Sequence, residues 1–195
     1  MSQSDSLPRV LAALDALEVA YLVSGSIASS LHGVSRTTFD VDLLVGLPAR
    51  HVVDFVAALG SGFYADELEI KRSVEAGRSF NVISTADVLK FDFFPATSPY
   101  DRSQLERRQL RNAELFGSKL EVAVASAEDT ILNKLRWYRL GGHVSERQWS
   151  DLLGILDVRA AKLDRLYLTT WAPQLGVADL LDRLFSSRSG HRASE

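Results

Sequence analysis

Hydrophobic side chains follow both helical and strand spacing in the first part of the chain. Residues 7–18 place leucines and a valine at helical spacing and predict an opening helix. Short apolar runs predict strands, and helical patterns lie between them. The predicted strands are 21–23, 39–45, 79–84 and 88–94, and the predicted helices are the segment ending near His32, 48–59 and 66–76. This mixture of strands and helices predicts an α/β or α+β fold.

The later part of the sequence changes character after one predicted hairpin. Residues 101–112 show polar helical spacing, and Gly117-Ser118 between two short runs predicts a β-hairpin. Ser126 to Asp129 resembles a capping box that opens a helix, and further amphipathic segments follow. We therefore predict a core at 1–125 and a C-terminal helical region at 126–195. Its three tryptophans are predicted to be buried: Trp137, Trp149 and Trp171.

Two acids interrupt an otherwise apolar predicted strand. Asp40 and Asp42 lie two residues apart, so they face the same side of the strand, about 6.6 Å from one Cα to the other. Such a pair can hold Mg²⁺, which prefers oxygen ligands and commonly also binds the phosphates of a substrate. Gly25-Ser26 upstream lies at the start of a predicted helix, where N–H groups can bind an anion. The alternative is that the two acids only keep a sheet edge solvated.

A third acid, Asp92, lies inside the apolar run 88–94. A buried carboxylate is costly without a partner, so Asp92 needs one, or else it lies at a strand end and faces water.

The composition limits the classes of protein to which the chain can belong. The 195 residues are 46% hydrophobic, contain no cysteine and carry a net charge of −3. These values favour a real hydrophobic core, exclude disulfides and thiolate chemistry, and disfavour a uniformly basic nucleic-acid-binding protein.

The N-terminus lacks the pattern of a signal peptide, and no apolar run approaches a membrane span. We therefore expect a cytoplasmic protein of bacterial type that makes no membrane contact.

Taken together, Gly25-Ser26, Arg36, Thr38, Asp40 and Asp42 resemble the signature of the DNA polymerase β-like nucleotidyltransferase superfamily. Within it, the sequence is most similar to the AbiEii/AbiGii-type toxin nucleotidyltransferases and related uncharacterised bacterial proteins. The resemblance extends over about residues 21–95. It implies a mixed sheet with flanking helices, and a C-terminal helical region after the core.

The resemblance also implies a reaction. A nucleoside triphosphate (NTP) would give its nucleoside monophosphate (NMP) to an acceptor hydroxyl, with Mg²⁺ or Mn²⁺ held by Asp40, Asp42 and Asp92. Either Asp42 or Asp92 could serve as the base.

Four further residues are implied to bind the nucleotide: Gly25, Ser26, Arg36 and Lys134. Gly25 and Ser26 would hold the β and γ phosphates. For Lys134, the alternative is an ordinary surface position. Asp151 could correspond to a later acid of the toxin relatives, but its spacing from the other motifs matches only loosely. For Arg102, Arg107, Arg108 and Arg111, a solvated helix face is favoured over a contact with phosphate or RNA.

The acceptor stays open between RNA or tRNA, a protein side chain and a small molecule such as an antibiotic. A cognate antitoxin is implied only by the resemblance. The alternative function is a catalytically silent module of the same fold that binds a nucleotide or a protein partner.

Overall fold

The computed structural model describes residues 5–33 and 37–191, and all structural statements concern these residues. The chain forms two compact units. The first comprises Met1–Ser24 and Thr38–Ala125, and the second comprises Gly25–Thr37 and Ser126–Glu195. Residues 25–33 thus belong with the C-terminal helices although they precede residue 125.

The described residues contain nine α-helices and seven β-strands. The helices are α1 (Ser6–Ala16), α2 (Gly25–His32), α3 (Val52–Leu59), α4 (Glu67–Glu75), α5 (Pro99–Glu106), α6 (Ala127–Leu140), α7 (Glu146–Arg159), α8 (Arg165–Gln174) and α9 (Ala178–His191). The strands are β1 (Tyr21–Val23), β2 (Asp40–Val45), β3 (Phe63–Tyr64), β4 (Phe80–Ser84), β5 (Lys90–Pro95), β6 (Gln109–Leu115) and β7 (Ser118–Val124).

All seven strands form one sheet within the first unit, in the order β3-β4-β5-β2-β1-β7-β6. The pairs β2 with β5 and β1 with β7 are parallel, and the other neighbours are antiparallel. The predicted α/β class with a mixed sheet is therefore confirmed.

One face of strands β2 and β5 packs into the core of the first unit. Val41 and Leu43 of β2, and Phe91 and Phe93 of β5, are fully buried. The ring of Phe93 stacks on Phe80 of β4 at 4.8 Å and meets Phe55 of α3 edge-on at 5.5 Å. Because side chains alternate along a strand, the residues between these must point to the opposite face. Those residues are Asp42 and Asp92, and Asp40, directly before Val41, points to the same opposite face.

The second unit consists of helices in the described chain. It contains α2 and α6 to α9, and no described helix is long and apolar enough to cross a membrane. The end of α2 lies very close to α7: a Cβ atom on Gly33 would be 2.8 Å from the backbone nitrogen of Ile155. Gly33 does not adopt a positive φ. The helix ends at His32, directly before this glycine, as the sequence predicts, and Gly33 in addition allows close helix packing.

Two predictions about the later sequence are wrong. Residues 109–112 are not helical, because α5 ends at Glu106 and β6 pairs with β7 from Gln109 to Leu115. Phe116 and Gly117 both have positive φ, as the tight turn of a two-residue hairpin requires. Pairing with the adjacent strand β7 thus overrides the helical spacing.

The second error concerns Trp137, which is 54% exposed. In α6 the buried stripe at helical spacing is formed by Ile131, Leu135 and Tyr138, and Trp137 lies beside it. The other two tryptophans are partly buried.

The close approach at Gly33 gives a stability prediction. We expect Gly33→Ala to lower the free energy of unfolding by about 1–3 kcal/mol, because the added methyl group must push two backbones apart. Urea denaturation followed by circular dichroism measures the change. Gly46→Ala is the matched control, since its Cβ would meet atoms only at 3.5 Å or more. Equal stability of both variants would contradict the packing role of Gly33.

Candidate active site

The three predicted carboxylates lie on two neighbouring strands of the first unit. In the parallel pairing of β2 with β5, Asp42 is the register partner of Asp92, and Asp40 is the partner of Lys90. Paired strands lie about 4.8 Å apart, and residues two apart on a strand face the same side. Asp40, Asp42, Asp92 and Lys90 therefore form a compact four-residue group on one face of the sheet. We call this group the acidic face.

Local hydrogen bonds fix the start of β2, where the acidic face begins. The backbone nitrogen of Asp40 donates to Thr38 Oγ1 at 3.4 Å, and that hydroxyl donates to the carbonyl of Asp40 at 3.3 Å. The backbone nitrogen of Ser24, the residue after β1, donates to the carbonyl of Asp42 at 2.8 Å. The backbone at Asp42 is thus hydrogen-bonded to the segment after β1 on one side and paired with β5 on the other.

Lys90 is the partner that the sequence required for Asp92. Its Nζ lies 2.8 Å from each carboxylate oxygen of Asp92. The hydrogen bond to Asp92 is the main cause that raises the pKa of Lys90; partial burial opposes it, and the charges of Asp92, Asp40 and Asp42 add to it. The lysine ammonium thus experiences the field of all three carboxylates.

Sequence reasoning missed Lys90. The available signal was its position two residues before Asp92, which places both side chains on the same face of a strand.

The donor chemistry of the acidic face fits a divalent cation. Three carboxylates supply hard oxygen ligands of the kind that Mg²⁺ and Mn²⁺ prefer, and an ammonium group already contacts one of them. In the arrangement described, no group of three or more His, Asp or Glu side chains forms a ready metal site within residues 5–33 and 37–191. The predicted metal role of Asp40, Asp42 and Asp92 stays a prediction.

The described residues among the predicted nucleotide-binding set, Gly25, Ser26 and Lys134, belong to the second unit. Gly25 and Ser26 begin α2 of the second unit, and Gly25 has a φ of 57°, a conformation that glycine adopts without strain. Arg36 lies outside the described residues. The roles predicted for these residues stay predictions.

Lys134 is not a surface residue, so that alternative is wrong. Its side chain is 5% exposed, and its Nζ lies 2.7 Å from Asp151 Oδ2 and 3.1 Å from Gln148 Oε1. The pair joins α6 to α7 within the second unit. A buried charge with a hydrogen-bonded partner has a structural role even before any ligand contact is considered.

The four arginines do not share one helix face, which corrects the favoured interpretation of that segment. Arg102 belongs to α5, Arg107 and Arg108 follow its end, and Arg111 lies on β6. Arg108 donates to the carbonyl of Leu105 at 2.5 Å, which caps the end of α5.

An open pocket of about 800 Å³ lies elsewhere in the first unit. It is lined by residues of α4 and of the segment before β4, among them Glu69, Arg72 and Arg78. It contains none of the predicted site residues. The mixed charge of its lining indicates no particular ligand.

Comparisons with known proteins give distant structural likenesses. No family model matches the sequence, and no curated protein matches it. The crystal structure of an antigenic nucleotidyltransferase-like protein from Paracoccidioides brasiliensis is similar at 18% identity and a TM-score of 0.46, over 94% of each chain.

Two structures of the antibiotic-resistance factor ANT(2'')-Ia are also similar. The solution structure has 17% identity and a TM-score of 0.40, over 96% of this chain and 90% of that one. The crystal structure of the complex with adenylyl-2''-tobramycin has 16% identity and a TM-score of 0.41, over 96% and 95%. At these values, none of the likenesses assigns a family or an activity to this chain.

The buried pair in the second unit gives a second prediction. We expect Lys134→Met to lower the free energy of unfolding by about 3–5 kcal/mol, because it leaves the carboxylate of Asp151 buried without its cation. The double variant Lys134→Met/Asp151→Leu should recover much of that loss. Urea denaturation of both variants, with exposed Lys119→Met as control, measures the effects. A Lys134→Met variant as stable as the control would contradict the structural role.

Proposed function

We propose that this chain is a nucleotidyltransferase that depends on a divalent metal ion and transfers an NMP from an NTP to an acceptor hydroxyl, with release of pyrophosphate. The observation that carries the proposal is the register of β2 with β5, which collects three carboxylates on one face of the sheet. A sheet face with no ligand to bind gains nothing from two carboxylates placed directly opposite each other, since like charges at such positions are destabilising.

In the proposed reaction, Asp40, Asp42 and Asp92 would hold the metal. When bound, Mg²⁺ or Mn²⁺ would neutralise charge on the phosphates and favour deprotonation of the acceptor hydroxyl. The chain would position the carboxylates through β2 and β5, whose opposite faces are locked in the core by Val41, Leu43 and Phe91. One carboxylate that is not fully engaged with metal, Asp42 or Asp92, would accept the proton of the hydroxyl.

Finer features of the proposal rest on the sequence alone. They include nucleotide binding by Gly25, Ser26, Arg36 and Lys134, similarity to the AbiEii/AbiGii-type toxins, a cognate antitoxin and a cytoplasmic location. The acceptor in the proposal is RNA or tRNA, a protein or a small molecule. The acidic face carries no feature that selects among these three classes.

A catalytically silent nucleotide- or protein-binding module is the second candidate, and one observation favours it. Lys90 covers both carboxylate oxygens of Asp92, the position that a metal would need. In a silent module, this ion pair would be permanent and would stabilise the sheet without any metal.

The activity prediction concerns Asp42. We expect Asp42→Asn to lower the rate of NMP transfer about 100-fold or more, because the loss of a metal ligand removes several kcal/mol of transition-state stabilisation. The free energy of unfolding should stay within about 1 kcal/mol, since the change also removes repulsion from Asp92. The assay incubates the protein with each α-labelled NTP, Mg²⁺ or Mn²⁺, and bacterial RNA, protein or aminoglycosides.

The matched control is Asp54→Asn, because Asp54 is an exposed acid on α3. It should retain wild-type transfer. Transfer that persists in Asp42→Asn, or a loss of fold in that variant, would contradict the proposed role. Metal-dependent NTP binding without transfer to any acceptor would favour the silent module.

A further inference from the structure

Lys90 differs from an ordinary surface lysine in what it contacts. Its ammonium group lies 2.8 Å from both oxygens of Asp92, so it covers the whole carboxylate edge. On the neighbouring strand, its register partner is Asp40, and Asp42 is the register partner of Asp92. Lys90 is therefore the one cation among the four residues of the acidic face.

The charge balance of the acidic face depends on this lysine. Three carboxylates and one ammonium leave two formal negative charges, whereas the carboxylates alone carry three. Asp42 and Asp92, opposite each other on adjacent strands, repel unless a cation lies near. Lys90 supplies that cation from within the chain. A divalent ion would supply it from solution.

A divalent ion and the lysine need the same oxygens. Mg²⁺ binds carboxylate oxygens at about 2.0–2.1 Å, closer than an ammonium group, and the two cations repel each other. The Lys90 side chain is 43% exposed and carries its charge on a flexible four-carbon stem. It can therefore leave Asp92 without unfolding the strand.

The geometry points to Lys90 as a tethered counter-ion that occupies Asp92 until a divalent cation displaces it. This inference rests on the proposed metal site and adds a residue that sets how readily the site binds metal. In the metal-free protein Lys90 neutralises the acidic face, and in the metal-bound protein it is released from Asp92. Released, its ammonium group remains on the same strand and face, where it is available to an anionic substrate.

Metal binding without nucleotide provides the first test. Titration of the purified full chain with Mn²⁺, followed by electron paramagnetic resonance of free Mn²⁺, gives the dissociation constant. We expect Lys90→Gln to lower this constant by on the order of 3- to 10-fold, because it removes both the competitor and a repelling charge. Lys90→Arg should raise it, since a guanidinium binds a carboxylate through two parallel hydrogen bonds and is harder to displace.

The control is Lys71→Gln, which removes the same charge from an exposed position on α4 of the same unit. It should leave the dissociation constant unchanged. An unchanged constant in Lys90→Gln, or a Lys90→Arg variant equal to wild type, would overturn the displacement and leave the metal site standing. No Mn²⁺ binding by wild type or Lys90→Gln would overturn the proposed metal site together with this inference.

A direct observation of the lysine completes the test. The chain contains only five lysines, so selectively labelled lysine side chains can be assigned by substitution in nuclear magnetic resonance spectra. We expect the Lys90 signal to shift on addition of diamagnetic Mg²⁺, and the Lys71 and Lys119 signals to stay in place. A Lys90 signal that does not respond while Mn²⁺ binds would contradict its release.

Discussion

The parallel pairing of β2 with β5 is the constraint on which the candidate site depends. Its register sets Asp42 beside Asp92, and the same register sets Val41 beside Phe91 and Leu43 beside Phe93. These four apolar residues are fully buried, so a slip by one residue would turn carboxylates into the core and aromatic rings out of it. The hydrophobic face thus fixes the geometry of the acidic face. The same register places the like charges of Asp42 and Asp92 opposite each other, which is unfavourable.

This division explains how much of the site the sequence could predict. The alternation of acids with apolar residues around Asp40 and Asp42 shows which way they face, and the apolar run around Asp92 shows that this acid needs a partner. The pairing of two strands separated by about fifty residues is not visible in either pattern. Lys90 was missed for that reason, since its importance arises only when β5 lies beside β2.

The errors in the later sequence have the same physical origin. Arg111 fits a helical spacing locally, yet seven residue pairs of the β6–β7 hairpin outweigh that preference. Lysine is usually a surface residue, but Asp151 of α7 contacts the side chain of Lys134, and both side chains are buried. In each case the local pattern is compatible with more than one structure, and contacts with the next element of the chain, β7 or α7, decide between them.

The two lysine–aspartate ion pairs differ in burial, and burial decides whether each pair can open. The side chains of Lys134 and Asp151 are 5% and 10% exposed. If this ion pair opened, each charge would remain buried without a partner in a low-dielectric environment. Lys90 and Asp92 are 43% and 22% exposed, and water can solvate either partner once the pair opens. The same chemical pair at almost the same distance is therefore a fixed bond between helices in one unit and an exchangeable contact in the other. The exchangeable pair lies beside Asp40 and Asp42, where an incoming cation would gain more than the lysine loses.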